Sequence, residues 1–303
     1  MRPRAIHESP LREHNCVNQL FNAPLANFIL SWYTYPKQKG VNRLLAEIQT
    51  HLAGHPWLDK ILWLDSVDST NTYAKQLAQA GAPEGTIVIA DHQTGGRGRL
   101  GRSFSSPAGM GIYLSLILRP NCLPEELMHL TCATGVAAGD AVAAITGQIP
   151  GIKWTNDLIL HRQKLGGILT ELSLKNGLVD YVIIGIGINC CQKAEDFPEE
   201  IRQIACSLNL SPTDRIPLLA ELIRALHRMQ QNLFANKTGI MADFRRRCIT
   251  IGQSISLVRG EEVRHGTALD VDDDGGLLVA FSDGRQETVT SGEVSIRGMY
   301  GYV

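Results

Sequence analysis

QTGGRGRLGR, at residues 93–102, lies between two apolar, β-branched runs at residues 86–90 and 111–118. Such runs predict strands, so we expect this segment to connect two strands. Its four glycines and three arginines combine backbone freedom with positive charge. Glycines let backbone N–H groups approach an anion closely, and a guanidinium binds phosphate or carboxylate through two parallel hydrogen bonds. The segment therefore predicts an anion-binding loop that can order around a ligand.

Two alternatives for this segment are a solvated flexible loop and an Arg-Gly nucleic-acid tail. An Arg-Gly tail would repeat within a disordered region, whereas this motif occurs once, between two predicted strands. The overall charge also argues against general binding of nucleic acid or anionic membrane. The 29 Lys and Arg residues nearly cancel the 30 Asp and Glu residues, so anion binding must come from local basic clusters.

Outward from the loop, helical and strand patterns alternate along most of the chain. Hydroxyl and amide side chains at Ser69-Thr70-Asn71 are typical of a helix start, because they cap free backbone N–H groups. Amphipathic or Ala-rich patterns predict further helices at residues 42–52, 125–145 and 217–235. Strands are predicted at residues 61–67, 152–160, 165–172 and 178–188, with a polar turn at 161–164.

After Gly252 the pattern changes to short strands separated by Asp-Gly turns. Five strands in under fifty residues predict a small β-barrel. We place these strands at residues 255–259, 262–270, 277–281, 285–290 and 294–297. The resulting division is an irregular N-terminal extension at 1–45, a catalytic domain at 46–250 and a barrel at 251–303, with the boundary near Thr250.

Cysteine usage and the N-terminus predict a cytoplasmic protein. Seven cysteines, with no C-x-x-C pair, argue for free thiols rather than a disulfide framework. The adjacent Cys190 and Cys191 are interpreted as packing residues. No signal peptide is recognisable, and the apolar stretch at 20–33 is interrupted and too short to cross a membrane.

Three further segments carry candidate site residues. Lys153-Trp154-Thr155-Asn156-Asp157 places a cation, an amide and a carboxylate together, as a nucleotide site requires, although a polar turn is the alternative. Lys164 enters an apolar strand, where an unpaired ammonium is costly to bury. Gly185 and Gly187 remove two alternate side chains from one strand, so something can pack flat there. No Ser/His/Asp triad or histidine metal site can be argued.

Taken in order, these segments resemble the biotin–protein ligase family. The resemblance covers the chain from about Ile61 to the C-terminus, through residues 68–71, 96–102, 153–157, 164–169, 185–189 and 292–297. It implies an α+β fold: a mixed sheet with flanking helices, similar to the class II aminoacyl-tRNA synthetase core, followed by an SH3-like β-barrel. It also implies an ATP-dependent ligase that forms biotinyl-5′-AMP and transfers biotin to a lysine of a biotin carboxyl carrier protein domain.

The resemblance further implies roles for individual residues. The biotin side would consist of Ser69, Thr70, Asn71, Gln93, Arg97, Gly98, Arg99, Lys164, Gly166 and Gly187, with the two last glycines leaving room for the rings. The ATP side would consist of Arg102, Phe104, Lys153, Asn156, Lys164 and Asn189, with Phe104 shielding the adenine. Catalysis would fall to Arg99, Lys153 and Lys164, and Asp157 would be the Mg²⁺ ligand.

The sequence departs from the family pattern in three places. Thr155 replaces the usual Pro, and Phe104 replaces a frequent Trp, yet both substitutes keep an extended backbone or an aromatic face. Many bacterial members begin with a winged helix-turn-helix that represses biotin genes. Residues 1–45 lack two consecutive helical patterns and contain four prolines, so we predict no DNA binding.

Three other functions remain as alternatives. A lipoate or octanoyl ligase shares the fold but would lack the Gly-Arg loop. A repressor that senses biotinyl-AMP would need a helix-turn-helix or a basic N-terminal stripe. A non-catalytic binding module would have little use for Lys153, Asp157 and Lys164. A homodimer through an exposed sheet edge is also possible, although the sequence does not identify that edge.

Overall fold

The computed structural model describes residues 39–296, and one compact unit begins at Arg43. Most of the predicted N-terminal extension lies outside the described residues. The described part contains five α-helices: α1 (Lys39–His51), α2 (Thr70–Gln79), α3 (Leu130–Thr146), α4 (Arg215–Asn232) and α5 (Lys237–Arg247). Its twelve strands form one sheet of seven strands and a second sheet of five.

The seven-stranded sheet lies within residues 46–250, the range predicted as one domain from the sequence. Its strands are β1 (Ile61–Val67), β2 (Ile87–Gln93), β3 (Gly111–Leu118), β4 (Gly151–Lys153), β5 (Asp157–Leu160), β6 (Gln163–Lys175) and β7 (Leu178–Asn189). They lie in the order β1-β2-β3-β7-β6-β5-β4. The β1–β2 pair is parallel and every other pair is antiparallel, so the sheet is mixed, as predicted. All eight residues of β3 are buried, which explains its continuous apolar run.

The helices cover this sheet and bury its apolar strands. Helix α2 packs on β2, β3 and β7, whereas α3 packs on β4, β5 and β6 and is itself contacted by α4 and α5. The predicted apolar stripe of α4, including Leu218, Leu222 and Leu226, is fully buried, which confirms its role in the core. Among the described residues one segment, Pro124–Thr146, is long and apolar enough to cross a membrane. Its window is 67% buried inside the protein, as is typical of a core helix.

The structure differs from the predicted elements in three places. The helix predicted from residue 125 begins at Leu130, after a 3-10 turn at Pro124–Leu127. The strand predicted at 152–160 is two strands, β4 and β5, separated by a turn at residues 154–156. Helix α5 was not predicted, because only Met241 and Phe244 of its eleven residues are buried and its apolar pattern is therefore weak.

Strands β8 (Ser254–Arg259), β9 (Glu262–Val271), β10 (Leu277–Phe281), β11 (Gln286–Val289) and β12 (Glu293–Ile296) form the second sheet. It is antiparallel throughout, in the order β11-β10-β9-β8-β12. Alternate side chains such as Leu257, Val279 and Val289 are buried and give this domain its own core. The predicted fold class, a mixed-sheet α+β domain followed by a small β domain, is confirmed. The exact domain boundaries stay a prediction.

The turn between β9 and β10 attaches the C-terminal domain to the catalytic domain. The Trp154 indole N–H donates to the Gly275 carbonyl oxygen over 2.8 Å. Arg245 donates to Asp273 Oδ1 over 2.9 Å, and Lys237 contacts Asp274. The Trp154 backbone N–H donates to Thr250 Oγ1 over 2.9 Å. Because Trp154 begins the turn at 154–156, the C-terminal domain fixes the position of that turn.

Two histidines pack together with Trp57 between α1 and α4, and they make stability depend on pH. The His55 and His227 ring centroids lie 4.9 Å apart. Burial lowers the pKa of both groups, and for His55 the charges of His227 and Arg224 lower it further. The unfolded chain therefore binds more protons than the folded chain at mildly acidic pH. The contribution of these two histidines to the free energy of unfolding is present above the unfolded pKa of about 6.5. It is lost as the pH falls below that value.

We expect the midpoint temperature of thermal unfolding to decrease when the pH is lowered from 7.5 to 5.5. His227→Gln should make this decrease smaller. The measurement is thermal unfolding followed by circular dichroism at several pH values. His161→Gln, on an exposed turn between β5 and β6, is the matched control and should leave the pH dependence as it is. An identical pH dependence in His227→Gln and the unsubstituted protein would contradict the assignment.

Candidate active site

A cavity opens between the start of α2, the Gly-Arg loop and the central strands β6 and β7. Most of the predicted site residues line it: Ser69, Thr70, Asn71, Gln93, Arg97, Gly98, Arg99, Phe104, Asn156, Lys164 and Gly187. The remaining lining residues are Gly185, which the sequence also singled out, and Gly167, Ile168, Leu169 and Ile186, which received no role. Residues from both the predicted biotin side and the predicted ATP side therefore share one cavity.

The Gly-Arg loop is a folded hairpin rather than an open chain. The Phe104 backbone N–H donates to Gly96 O over 2.8 Å, and the Gly98 N–H donates to Arg102 O over 2.7 Å. A bridge also pairs Arg97 with Ser103. These bonds give the loop an internal structure of its own.

The floor of the cavity is a buried network of polar side chains. Gln93 Oε1 accepts from the Thr70 backbone N–H over 2.8 Å and lies 3.1 Å from Thr70 Oγ1. Gln93 Nε2 donates to Ser106 Oγ over 2.8 Å. Ser115 Oγ, which is completely buried, lies 2.8 Å from Thr70 Oγ1 and 2.6 Å from Asn71 Oδ1. Such a network holds its donors and acceptors in fixed directions toward the cavity.

The glycines of the central strands make room for side chains of the protein itself. A Cβ at Gly185 would lie 2.1 Å from Asn71 Oδ1, and a Cβ at Gly187 would lie 2.5 Å from Phe104 Cε1. The Phe104 ring thus lies over Gly187. Phe104, predicted for the ATP side, therefore contacts a residue predicted for the biotin side. Gly166 does not line the cavity, because its missing side chain faces the Gly187 carbonyl oxygen at 2.3 Å. In this structure Gly166 permits close pairing of β6 with β7, and its role in leaving room for a ligand ring stays a prediction.

Arg99 connects the loop to two other parts of the protein. Its Nη1 donates to Thr155 Oγ1 over 3.1 Å and to Asn156 Oδ1 over 2.9 Å. Its Nη2 donates to the backbone carbonyl of Gly292, in the C-terminal domain, over 3.2 Å. All three partners are neutral oxygens, so an anionic ligand can compete for this guanidinium.

Lys164 lies at the start of β6, where its side chain is 36% exposed and its ammonium is paired. Its Nζ donates to Asp157 Oδ1 over 2.7 Å. The same carboxylate oxygen accepts from Asn156 Nδ2 over 3.3 Å. This pair brings the second and third sequence motifs together at one edge of the cavity.

Four predicted ligand residues lie away from the cavity lining. Asn189 is 5% exposed; its Nδ2 donates to Cys206 O over 3.0 Å, and its Oδ1 accepts from Gln192 Nε2 over 3.2 Å. Lys153 is buried in β4, whereas Arg102 is exposed at the far end of the loop. Asp157 is not part of the lining, and its carboxylate contacts the lining residues Lys164 and Asn156. Direct ATP contacts by Asn189, Lys153 and Arg102 stay a prediction, and in this structure these residues lie outside the cavity lining.

Sequence reasoning missed several residues that build the site. Ser115 could have been found from the sequence, since it is the single Ser or Thr within the apolar run of β3. Glu171 ends a motif that was noticed, but it received no role. Thr155 was noticed as a departure from the family pattern, whereas its hydrogen bond to Arg99 is long-range and carries no sequence signal. The same holds for the contact between Arg99 and Gly292.

The described residues contain neither a metal cluster nor an activated thiol. No group of three or more His, Cys, Asp or Glu side chains that could hold a metal is found between residues 39 and 296. The cysteine nearest Lys164 is Cys206, and burial raises its pKa to about 11, so it stays a protonated thiol. Covalent catalysis by a cysteine nucleophile is therefore not supported here.

Comparison with known proteins places this geometry in a family. Residues 63–189 match the biotin/lipoate A/B protein ligase family, and residues 250–297 match the biotin protein ligase C-terminal domain. The chain is 36% identical to the biotin–[acetyl-CoA-carboxylase] ligase of Mycobacterium tuberculosis over 237 residues, which cover 75% of this chain and 85% of that protein. The chain belongs to the biotin protein ligase family.

Two further relatives agree with this membership. The chain is 35% identical over 228 residues to the bifunctional ligase/repressor BirA of Bacillus subtilis, covering 74% of this chain and 70% of that protein. A solved biotin protein ligase from Aquifex aeolicus, in complex with biotin and ATP, superposes with a TM-score of 0.66 at 31% identity. The alignment covers 78% of this chain and 98% of that one. The resemblance drawn from the motifs is confirmed.

Proposed function

We propose that this protein is a biotin–protein ligase, which uses ATP to convert biotin to biotinyl-5′-AMP and then transfers biotin to a lysine of a carrier domain. One observation carries the proposal: a single cavity joins the fixed polar floor around Thr70 and Gln93 to the cations Arg99 and Lys164. The floor suits a neutral group that both donates and accepts hydrogen bonds, as the ureido ring does. The cations suit the phosphates of the second substrate.

In the first step a biotin carboxylate oxygen attacks the α-phosphorus of ATP. The new bond gives a mixed anhydride, and pyrophosphate leaves with the electrons of the broken P–O bond. Negative charge grows on phosphate oxygens in the transition state, so donors fixed beforehand stabilise it more than the ground state. Lys164, oriented by Asp157 at 2.7 Å, and Arg99, oriented by Asn156 at 2.9 Å, supply these donors.

The residues present would hold Mg²⁺ only when the phosphates of ATP supply further oxygen ligands. Magnesium is commonly held by one or two carboxylates plus substrate phosphates, and Asp157 is the carboxylate placed for this. The ion would neutralise charge on the phosphates as pyrophosphate leaves. Because Asp157 already pairs with Lys164, a metal bound there would share the carboxylate with that ammonium.

In the second step the amine of the acceptor lysine attacks the acyl carbon, and AMP leaves. The enzyme needs no nucleophile of its own, in agreement with the protonated state of Cys206. Water would hydrolyse the anhydride, so the Gly-Arg loop must cover it until the acceptor arrives. The hairpin bonds of residues 96–104 allow the loop to close without losing its own structure.

We further propose that the protein partner is a biotin carboxyl carrier domain, without a DNA partner, and that the protein works in the cytoplasm. The described cysteines are all free, which supports a reducing compartment. The relative named a ligase/repressor makes DNA binding worth testing directly. A gel-shift assay with biotin and ATP present should show no shift; a sequence-specific shift would overturn this part.

The experiment that tests the ligase function is ATP–pyrophosphate exchange with purified protein, comparing biotin, lipoate, octanoate and no acid. Exchange that depends on biotin is expected, because adenylation is reversible before transfer. Exchange that depends on lipoate or octanoate instead would assign the related acyl-ligase function. Folded protein that exchanges with none of the acids would contradict adenylation altogether.

A further inference from the structure

Glu171 on β6 is a carboxylate that the proposed mechanism does not use. Its Oε2 accepts from Asn71 Nδ2 over 2.8 Å, and its Oε1 lies 3.5 Å from Arg97 Nη1. Asn71 belongs to the first turn of α2, whereas Arg97 belongs to the Gly-Arg loop. The two oxygens of one side chain therefore contact two different walls of the cavity.

The Asn71 contact gives Glu171 a fixed position. Asn71 is 5% exposed, and its Nδ2 also lies 3.3 Å from the Leu169 carbonyl oxygen. Its Oδ1 accepts from Ser115 over 2.6 Å and fills the space left by Gly185. Asn71 is thus bound to β3 and β6 and packed against β7, and its amide orients the carboxylate that it meets.

The Arg97 contact is of a different kind. The Arg97 side chain is 51% exposed, against 23% for Glu171, so the ion pair lies at the mouth of the cavity. Exposed ion pairs are weak and change equilibria by only a few fold. A weak contact to a fixed carboxylate suits a loop that must close over a ligand and open again.

We propose that Glu171 is a positioning residue that holds the Gly-Arg loop over the biotin side of the cavity through Arg97. It thereby slows the escape of biotin and of biotinyl-5′-AMP. The identity of these ligands rests on the proposed function, whereas the restraint on the loop does not. Glu171 touches neither substrate in this assignment, and it acts on the loop through Arg97.

The first test measures the restraint without any ligand or activity. Glu171→Gln keeps an oxygen for Asn71 but removes the charge that attracts Arg97. Hydrogen–deuterium exchange at backbone amides of residues 96–104 should become about two- to fivefold faster in this variant, because an exposed ion pair contributes that much. Amides of α2 should exchange at their original rate. Glu287→Gln, which breaks an ion pair with Arg264 in the C-terminal domain, is the matched control and should leave the loop unchanged.

The second test separates positioning from general damage. In ATP–pyrophosphate exchange, Glu171→Gln should raise KM for biotin about two- to fivefold, with kcat and KM for ATP unchanged. Combining it with Arg97→Gln should give no more than the effect of Arg97→Gln alone, since both changes break one contact. Release of biotinyl-5′-AMP into solution should rise in parallel.

Three outcomes would overturn the proposal. Loop amides that exchange at the original rate would show that Glu171 does not restrain the loop. Faster exchange in α2 as well would make Glu171 a structural residue. Additive effects of the Glu171 and Arg97 changes would show that they do not act through one contact. If the unsubstituted protein shows no biotin-dependent exchange, the proposed function fails, while the hydrogen–deuterium experiment still decides the restraint.

Discussion

Lys164→Ala is expected to lower the rate of biotin-dependent ATP–pyrophosphate exchange by about 10²- to 10³-fold, the usual cost of removing one fixed donor from a charge-stabilising site. Lys164 lines the cavity, and Asp157 holds its ammonium at 2.7 Å. The substitution removes this donor and leaves the Asp157 carboxylate beside the incoming phosphates, where like charges repel. The effect should fall on kcat more than on KM for biotin, because the charge that Lys164 meets grows during the reaction.

The same strand offers a matched control for this change. Lys175 is exposed at the far end of β6, so Lys175→Ala removes the same side chain without reaching the cavity. Circular dichroism should show both variants folded. If Lys164→Ala kept its exchange rate within about twofold of the unsubstituted protein, Lys164 would have no place in the adenylation step.

Gly185→Ala is the second change with a large expected effect. The added Cβ would lie 2.1 Å from Asn71 Oδ1 and 2.8 Å from its Cγ, which is closer than atoms can approach. Asn71 cannot move cheaply, because Ser115, Glu171 and Leu169 all bind its amide. We expect the free energy of unfolding to fall by about 1–3 kcal/mol, the usual cost of overpacking.

The same change should also weaken the biotin side of the cavity. Displacing Asn71 moves the first turn of α2, which carries Thr70, so KM for biotin should rise about tenfold, equivalent to about 1.4 kcal/mol. Urea denaturation measures the stability and pyrophosphate exchange measures KM. Gly135→Ala adds the same methyl group to a buried helical glycine, where it would meet only side-chain methyls of Ile152 and Ile168 at 3.3–3.7 Å, and it should change neither quantity strongly. Equal effects of the two substitutions would contradict the role given to Asn71.

The elements of the fold follow from the sequence wherever periodicity is strong. The apolar run of β3 and the stripe of α4 were predicted because burial leaves a repeating pattern. Helix α5 was not, since it buries Met241 and Phe244 alone and its other residues follow no period. A polar turn at residues 153–157 was one of two interpretations, and the predicted strand at 152–160 ran through it because Trp154 is apolar. The Trp154 indole instead donates to the distant Gly275 carbonyl oxygen.

For the candidate site, the sequence indicated which residues share the cavity but not how they bond. Arg97, Arg99 and Lys164 were found from their motifs, and all three line the cavity. Asn189 was assigned to ATP from the same kind of evidence, yet its amide is used by Cys206 and Gln192. Partners that lie about a hundred residues apart, such as Asn71 and Glu171, depend on the pairing of strands, which local patterns do not specify.

The central place of β7 in the larger sheet has a consequence for synthesis on the ribosome. The strand lies between β3 and β6, and its glycines complete a cavity whose lining begins at Ser69. A nascent chain that has not yet released residues up to Asn189 can pair β3 with β2 but not with β7, so one edge of an eight-residue apolar strand stays unpaired. During this interval the unfinished molecule is most open to aggregation and in greatest need of chaperone protection.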